Sequence, residues 1–115
     1  MTLENLIALT GAKNMTPGLP LDTQVSCGYT CDLLSWVMAH GKQGMAWITV
    51  QTHMNVIAVA SLLDFACVIV PESIAVDPAI VEKAQQEGIA LLSSEKTAYE
   101  LVCLLDEQGV APAKK

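Results

Sequence analysis

An apolar run predicted as a strand, residues 45–50, leads directly into an apolar helix predicted to begin at Met54 or Asn55. Four hydrogen-bonding residues stand at this junction: Gln51, Thr52, His53 and Asn55. The first N–H groups of a helix have no intrahelical partner, so polar side chains delivered to a helix start are typical of ligand sites in α/β proteins. We therefore expect a small anionic or polyhydroxylated ligand to bind at this junction.

Polar residues also follow three other predicted strands. These stretches are residues 27–30 with Asp32, residues 71–73, and Ser93 with Ser94. The carboxyl ends of parallel strands meet at one edge of a sheet, where open α/β sheets bind their ligands. The predicted ligand-binding residues are Gly28, Tyr29, Thr30, Asp32, Gln51, Thr52, His53, Asn55, Ser93 and Ser94. Thr52, Asn55 and Ser94 are equally good helix caps, so a pocket and a set of caps are both open interpretations.

The four cysteines allow a second interpretation of the chemistry. Cys27 and Cys31 form a C-x3-C pair, and with His53 they could hold a metal or a cluster in a redox-linked accessory factor. The chain supplies no obvious further ligands near this pair, so we expect no resident metal or cofactor. Cys67 and Cys103 stand in apolar segments and are predicted to be buried.

Motifs for phosphoryl or acyl transfer are absent from the sequence. Gly41-Lys42 precedes Gln43 at a predicted helix end, which is the wrong context for a phosphate loop. G-x-S-x-G and G-x-G-x-x-G do not occur either. All six basic residues are lysines, so an anion must be held by backbone N–H groups, hydroxyls or ammonium groups. We expect a non-catalytic regulatory or interaction module, with a small anionic metabolite such as a nucleotide or an acyl phosphate as its ligand.

Composition limits the partners. The 115 residues fit one domain, and a formal net charge of −6 disfavours nucleic acid. The N-terminus lacks the basic start of a signal peptide, and Ser61 and Asp64 interrupt the longest apolar tract, so we expect a cytoplasmic protein without a membrane span. A mean hydropathy of +0.43 is high for a small monomer, which predicts a homodimer.

Hydrophobic periodicity and capping residues predict the elements that position these groups. Helices are predicted at residues 1–12, from 33 to a close at 40–44, from 54 or 55 onward, at 77–88, and from 93 or 94 to about 108. Their predicted caps are Thr2, Asp32 or Thr30, Asp77, and Ser93 or Ser94, and the second helix is predicted to have a broad apolar face over residues 33–38. Strands are predicted at residues 13–16, 24–29, 45–50, 65–70 and 89–92. The expected fold is a single α/β domain over residues 1–115, with a mainly parallel sheet of about five strands and helices on both faces. Residues 109–115 are predicted to form a flexible tail.

Three segments resemble a known family. They are GYTCDLLSWVM at 28–38, WITVQTHMNVIAVASLLD at 47–64 and GIALLSS at 88–94. Together they are similar to small stand-alone DRTGG-domain proteins, whose domain resembles the N-terminal domain of HPr kinase/phosphorylase. The resemblance extends over residues 3–105. It implies a regulatory α/β module that associates with itself.

The resemblance also implies partners. Similar domains accompany a phosphate acetyltransferase and the CBS domains of a regulated pyrophosphatase, and stand-alone members accompany iron-only hydrogenase and electron-transfer components. A metabolite or a redox enzyme is therefore the implied partner. No kinase activity is implied, because the phosphate loop of HPr kinase lies outside the shared domain. The Asp-Arg-Thr-Gly-Gly motif is absent here, and residues 51–55 occupy its place.

Overall fold

The computed structural model describes residues 1–113, in which helices and strands follow the predicted order. The helices are α1 (Leu3–Thr10), α2 (Leu34–His40), α3 (Met54–Leu62), α4 (Pro78–Glu87) and α5 (Ala98–Glu107). The strands are β1 (Lys13–Asn14), β2 (Cys27–Thr30), β3 (Met45–Ile48), β4 (Cys67–Val70) and β5 (Ala90–Ser93). The predicted single α/β domain is thus a compact unit with a radius of gyration of 12.3 Å.

The strands of residues 1–113 form one sheet in the order β1-β5-β4-β3-β2. β2, β3, β4 and β5 are parallel, whereas the short edge strand β1 runs antiparallel to β5. In the register, Trp47 lies between Tyr29 of β2 and Val68 of β4. The predicted mainly parallel, five-stranded sheet is confirmed, with β1 making it mixed.

Alternate residues of the central strands belong to two separate hydrophobic clusters, because successive side chains of a strand point in opposite directions. One cluster includes Trp47 and Val68 and packs them against α2, α3 and α4. The other includes Ile48 and Ile69 and packs them against α1 and α5. β3 and β4 are buried along their whole length, which is typical of the inner strands of a parallel sheet.

Side-chain caps fix several helix starts. Thr2 caps α1 in a reciprocal capping box with Asn5, and Asp77 caps α4 by accepting the N–H of Ala79, as the sequence predicts. The predicted cap of α5 by Ser93 or Ser94 is wrong. Thr97 caps that helix in a capping box with Glu100. Ser93 instead ends β5.

The start of α2 also differs from its prediction. Leu33 holds the N-cap position without a side-chain hydrogen bond, and the predicted cap Asp32 bonds instead to Thr49 and Val50, just after β3. The broad apolar face predicted for α2 buries only Val37 within the helix, whereas Trp36 and Met38 are about half exposed. Cys103, predicted to be buried, is also exposed.

The C-terminal segment contacts the outer side of β2. The N–H of Gly28 donates to the carbonyl of Ala111, and the N–H of Ala113 donates to the carbonyl of Gly28, both over 2.9 Å. The predicted flexible tail, residues 109–115, extends past these bonds to Lys114 and Lys115, which lie outside the described residues.

Within residues 1–113 no helix is long and apolar enough to cross a membrane.

Candidate ligand-binding site

The predicted site residues lie along one edge of the sheet, because β2 to β5 are parallel and end on the same side. Since the strand order is β5-β4-β3-β2, Ser93 and Ser94 stand at one end of this edge. Thr30 and Asp32 stand at the other end, with the residues that follow β3 and β4 between them. The structure therefore divides the predicted cluster into separate regions.

Asp32 and Gln51 belong to a hydrogen-bonded cluster that joins the ends of β2 and β3, here called the aspartate clasp. One carboxylate oxygen of Asp32 accepts the hydroxyl of Thr49 over 2.8 Å and the N–H of Val50 over 3.0 Å. The amide of Gln51 donates to the carbonyl of Asp32 over 3.2 Å. Thr49 is only 1% exposed, and its hydroxyl accepts the N–H of Gln51 over 3.2 Å while Asp32 is the acceptor for its proton. These contacts give the clasp a structural role.

Thr52, His53 and Asn55 lie at the start of α3. His53 holds the N-cap position of the helix without a side-chain hydrogen bond, and both His53 and Asn55 are exposed. The side chains of all three residues lack hydrogen-bond partners within residues 1–113. They also lie outside the two cavities of the described structure that are considered below.

Ser93 and Ser94 line a cavity of about 390 Å³ at the carboxyl end of β5, here called the lysine cavity. Its other walls come from the end of α1, β1, the turn after β4 and the segment before α5. The lining residues are Thr10, Gly11, Lys13, Ser73, Ser93, Ser94, Glu95 and Lys96. The cavity thus combines two ammonium groups and three serine hydroxyls with one carboxylate, a donor-rich set suited to an anion.

The two lysines of this cavity keep unused donors. The ammonium of Lys96 donates to the carbonyl of Thr10 at the end of α1 over 3.1 Å, which leaves two of its three N–H donors. Lys13 is exposed and has no ion-pair or hydrogen-bond partner for its side chain within residues 1–113. Sequence reasoning missed both lysines. Their signal was present, because Lys96 follows the predicted serines by two residues and Lys13 begins the predicted edge strand.

The floor of the lysine cavity is fixed by the turn after β4. Glu72 and Ser73 both adopt left-handed backbone conformations, with φ of 59° and 54°, which are uncommon for residues other than glycine. Their N–H groups donate to the carbonyls of Lys96 and Ser94, each over 2.8 Å. In addition, the hydroxyl of Ser94 accepts the N–H of Lys96 over 3.1 Å. These bonds hold the segment that carries Lys96 against β4.

Gly28, Tyr29 and Thr30 line a different cavity, of about 440 Å³, here called the tyrosine cavity. It lies between β2, α5 and residues 110–112. Its lining is mostly apolar, and Tyr99 and Asp106 contribute from α5. The predicted site residues of β2 and β5 therefore face two cavities of opposite chemistry.

The cysteines and His53 are not brought together as a metal site. Cys27 is buried, and the backbone carbonyl of Cys31 accepts the indole N–H of Trp47 over 2.9 Å. Within residues 1–113 no group of three or more histidine, cysteine, aspartate or glutamate residues is arranged to hold a metal ion. Burial raises the pKa of the Cys67 thiol from 9.0 to about 12, so this thiol stays protonated at neutral pH.

Comparison with solved structures shows a similarity of fold. The fold resembles the crystal structure of the CBS and DRTGG domains of the regulatory region of Clostridium perfringens pyrophosphatase, complexed with the activator diadenosine tetraphosphate. The TM-score is 0.70 at 14% sequence identity, and the match covers 90% of this chain and 45% of that chain. This chain thus spans less than half of the matched regulatory region, and the likeness shows a shared fold. No protein-family model and no curated protein matches the sequence.

Proposed function

We propose that this chain is a non-catalytic regulatory domain that binds a small anionic metabolite, a nucleotide or an acyl phosphate, in the lysine cavity. The observation that carries the proposal is the cavity itself, where Lys13 and Lys96 stand beside three serine hydroxyls at the carboxyl end of β5. The unused donors of both lysines support it, because an anion can accept them without breaking an existing ion pair.

The structural similarity supports the same proposal. The pyrophosphatase region that shares this fold is regulatory, and its activator, diadenosine tetraphosphate, carries phosphate groups. A DRTGG-like identity, related to the N-terminal domain of HPr kinase, agrees with that likeness and with the resemblance of the sequence. The ligand of this chain is proposed from its own lysine cavity, since it lacks the arginine of the family motif.

The proposal includes the predicted architecture and assembly. The two core clusters support a single domain with helices on both faces of the sheet. The exposed apolar residues Leu33, Trp36 and Met38 support a homodimer, because a second copy would remove them from water. Sedimentation equilibrium checks this: we expect the mass of two chains, and a monomer at all concentrations contradicts it.

Four free cysteines support a cytoplasmic location.

Thermal unfolding with a panel of anions tests the ligand. The panel contains inorganic phosphate, acetyl phosphate, AMP, ATP and diadenosine tetraphosphate. A ligand at 100 times its Kd stabilises the native state by about 2.7 kcal/mol, which raises the Tm by several degrees. We expect such a shift with at least one phosphate compound and a loss of affinity of about tenfold in Lys96→Gln, because a charged donor is removed.

Lys83→Gln is the matched control. Lys83 forms an ion pair with Glu87 on α4 over 2.8 Å and does not line the cavity, so its replacement leaves the ligand-induced shift unchanged. The proposal is wrong if no compound raises the Tm, or if Lys13→Gln/Lys96→Gln responds to the ligand as fully as the wild type does.

A further inference from the structure

The tyrosine cavity has a chemistry that the proposed phosphate ligand does not explain. Its volume of about 440 Å³ lies within the range of small-molecule sites. Among the described residues that line it, Asp106 alone carries a charge, and it is negative. An anion is therefore disfavoured in this cavity, whereas the lysine cavity attracts one. The two cavities require different ligands.

Two tyrosines from different elements line this cavity. Tyr29 lies on β2, and Tyr99 lies in the first turn of α5 with 80% of its surface exposed. Within residues 1–113 neither side chain has a hydrogen-bond partner for its hydroxyl. A flat aromatic ligand would find π faces to stack on and hydroxyls to bond. Tyr99 is thus placed to contact a ligand rather than to pack in the core.

Aliphatic side chains and one carboxylate complete the lining. Ile48, Val102 and Val110 provide apolar contacts for the body of a ligand. Asp106 can only accept hydrogen bonds when it is ionised, so it selects a ligand that presents an N–H donor. A neutral ring that carries an amino group satisfies both requirements.

We propose that the tyrosine cavity is a second binding site, which takes an uncharged, flat aromatic ring bearing an N–H donor, of the size of a purine base. This site is separate from the phosphate site, since no residue lines both cavities. Tyr99 contacts the face of the ring, and Asp106 accepts its amino group. A phosphate compound bound in the lysine cavity leaves the tyrosine cavity open.

Tyrosine NMR tests this proposal with adenine as the probe. The chain has two tyrosines, so a sample with ¹³C-labelled tyrosine gives ring signals for these two residues, which Tyr29→Phe and Tyr99→Phe assign. We expect adenine to shift the signals of both rings saturably. Inorganic phosphate and benzoate, an aromatic anion, leave them in place because Asp106 repels an anion.

Variants separate a site from adventitious contact. Tyr99→Ala removes an exposed ring without loss of the fold, and we expect adenine affinity to fall at least tenfold, while Tyr99→Phe retains most of it. Asp106→Asn weakens adenine binding severalfold. Glu107→Gln is the matched control, because Glu107 is the next residue of α5 and does not line the cavity.

Three outcomes overturn the proposal. They are the absence of a saturable shift with adenine, benzoate binding as tightly as adenine, and adenine affinity that is unchanged in Tyr99→Ala. We expect Lys96→Gln to bind adenine with the same affinity as the wild type. The adenine test therefore does not depend on the phosphate site. Inorganic phosphate and acetyl phosphate carry no aromatic ring, so their failure to bind leaves the adenine test intact, and failure of adenine leaves their test intact.

Discussion

Polar residues at the two ends of the sheet edge formed by the carboxyl ends of β2 to β5 differ in what they contact. In the aspartate clasp, the side chains of Asp32 and Gln51 form hydrogen bonds with the backbone and with the buried hydroxyl of Thr49. In the lysine cavity, Lys96 uses one donor and Lys13 none within residues 1–113. Position at a strand end predicts the clasp residues and the serines of the lysine cavity equally well, but it does not predict the two lysines. Unused donors that line a cavity separate the candidate site from the structural group.

The largest effect, a loss of stability, is expected when the aspartate clasp is broken. Asp32→Ala removes the acceptor of the Thr49 hydroxyl and of the Val50 N–H. Hydrogen bonds to a charged group contribute about 1.5–3 kcal/mol, and a buried hydroxyl whose proton has lost its acceptor is costly. We expect the free energy of unfolding to fall by about 2–3 kcal/mol, as measured by urea denaturation.

Asp32→Asn is the control for this prediction. Its amide oxygen still accepts both hydrogen bonds, so the free energy of unfolding should fall less than in Asp32→Ala. Phosphate affinity should be unchanged in Asp32→Ala under conditions where the variant is folded. If Asp32→Ala instead kept its stability and lost the phosphate ligand, the comparison between the two regions would be reversed.

A smaller effect is expected inside the lysine cavity. Glu95 contributes the carboxylate of its lining, which repels an anion. Exposed charge pairs interact by about 0.2–1 kcal/mol, so Glu95→Gln should tighten phosphate binding about two- to fivefold. Isothermal titration at low and high salt measures this, and the gain should shrink as salt screens the charges. Weaker binding in Glu95→Gln would place the anion elsewhere.

The smallest effect is expected at the start of α3. Asn55 is exposed, lacks side-chain hydrogen bonds within residues 1–113 and lies outside both cavities, so Asn55→Ala should change neither stability nor phosphate affinity measurably. Titration of the variant with the best phosphate compound checks this. A large loss of affinity would return the site to the junction of β3 and α3, where the sequence first indicates it.

Much of the fold could be predicted because local signals and burial agree. The continuous apolar run that contains β4 and the Asp77-Pro78 start of α4 are strong patterns, and both elements form where expected. The start of α5 could not be predicted as well, because Ser93, Ser94 and Thr97 are all good capping residues. Pairing of Ser93 with β4 and β1 removes the first of these from the helix.

The candidate site was harder to predict, since cavities depend on contacts between distant parts of the chain. Lys13 and Lys96 line the same cavity because β1 runs antiparallel to β5, a pairing across about eighty residues that periodicity does not reveal. Tyr99 and Cys103 stand on the exposed side of a helix whose sequence is largely apolar. The sequence alone could not say which apolar residues of α5 face solvent.

The edges of the sheet limit how chains of this protein can aggregate. Within residues 1–113 one edge strand, β1, is two residues long, and the outer side of β2 is hydrogen-bonded at Gly28 to residues 111 and 113. Long unpaired edges allow a sheet to continue into neighbouring molecules. This sheet offers little edge for such growth, so concentrated protein should form discrete oligomers through helix surfaces rather than fibrils.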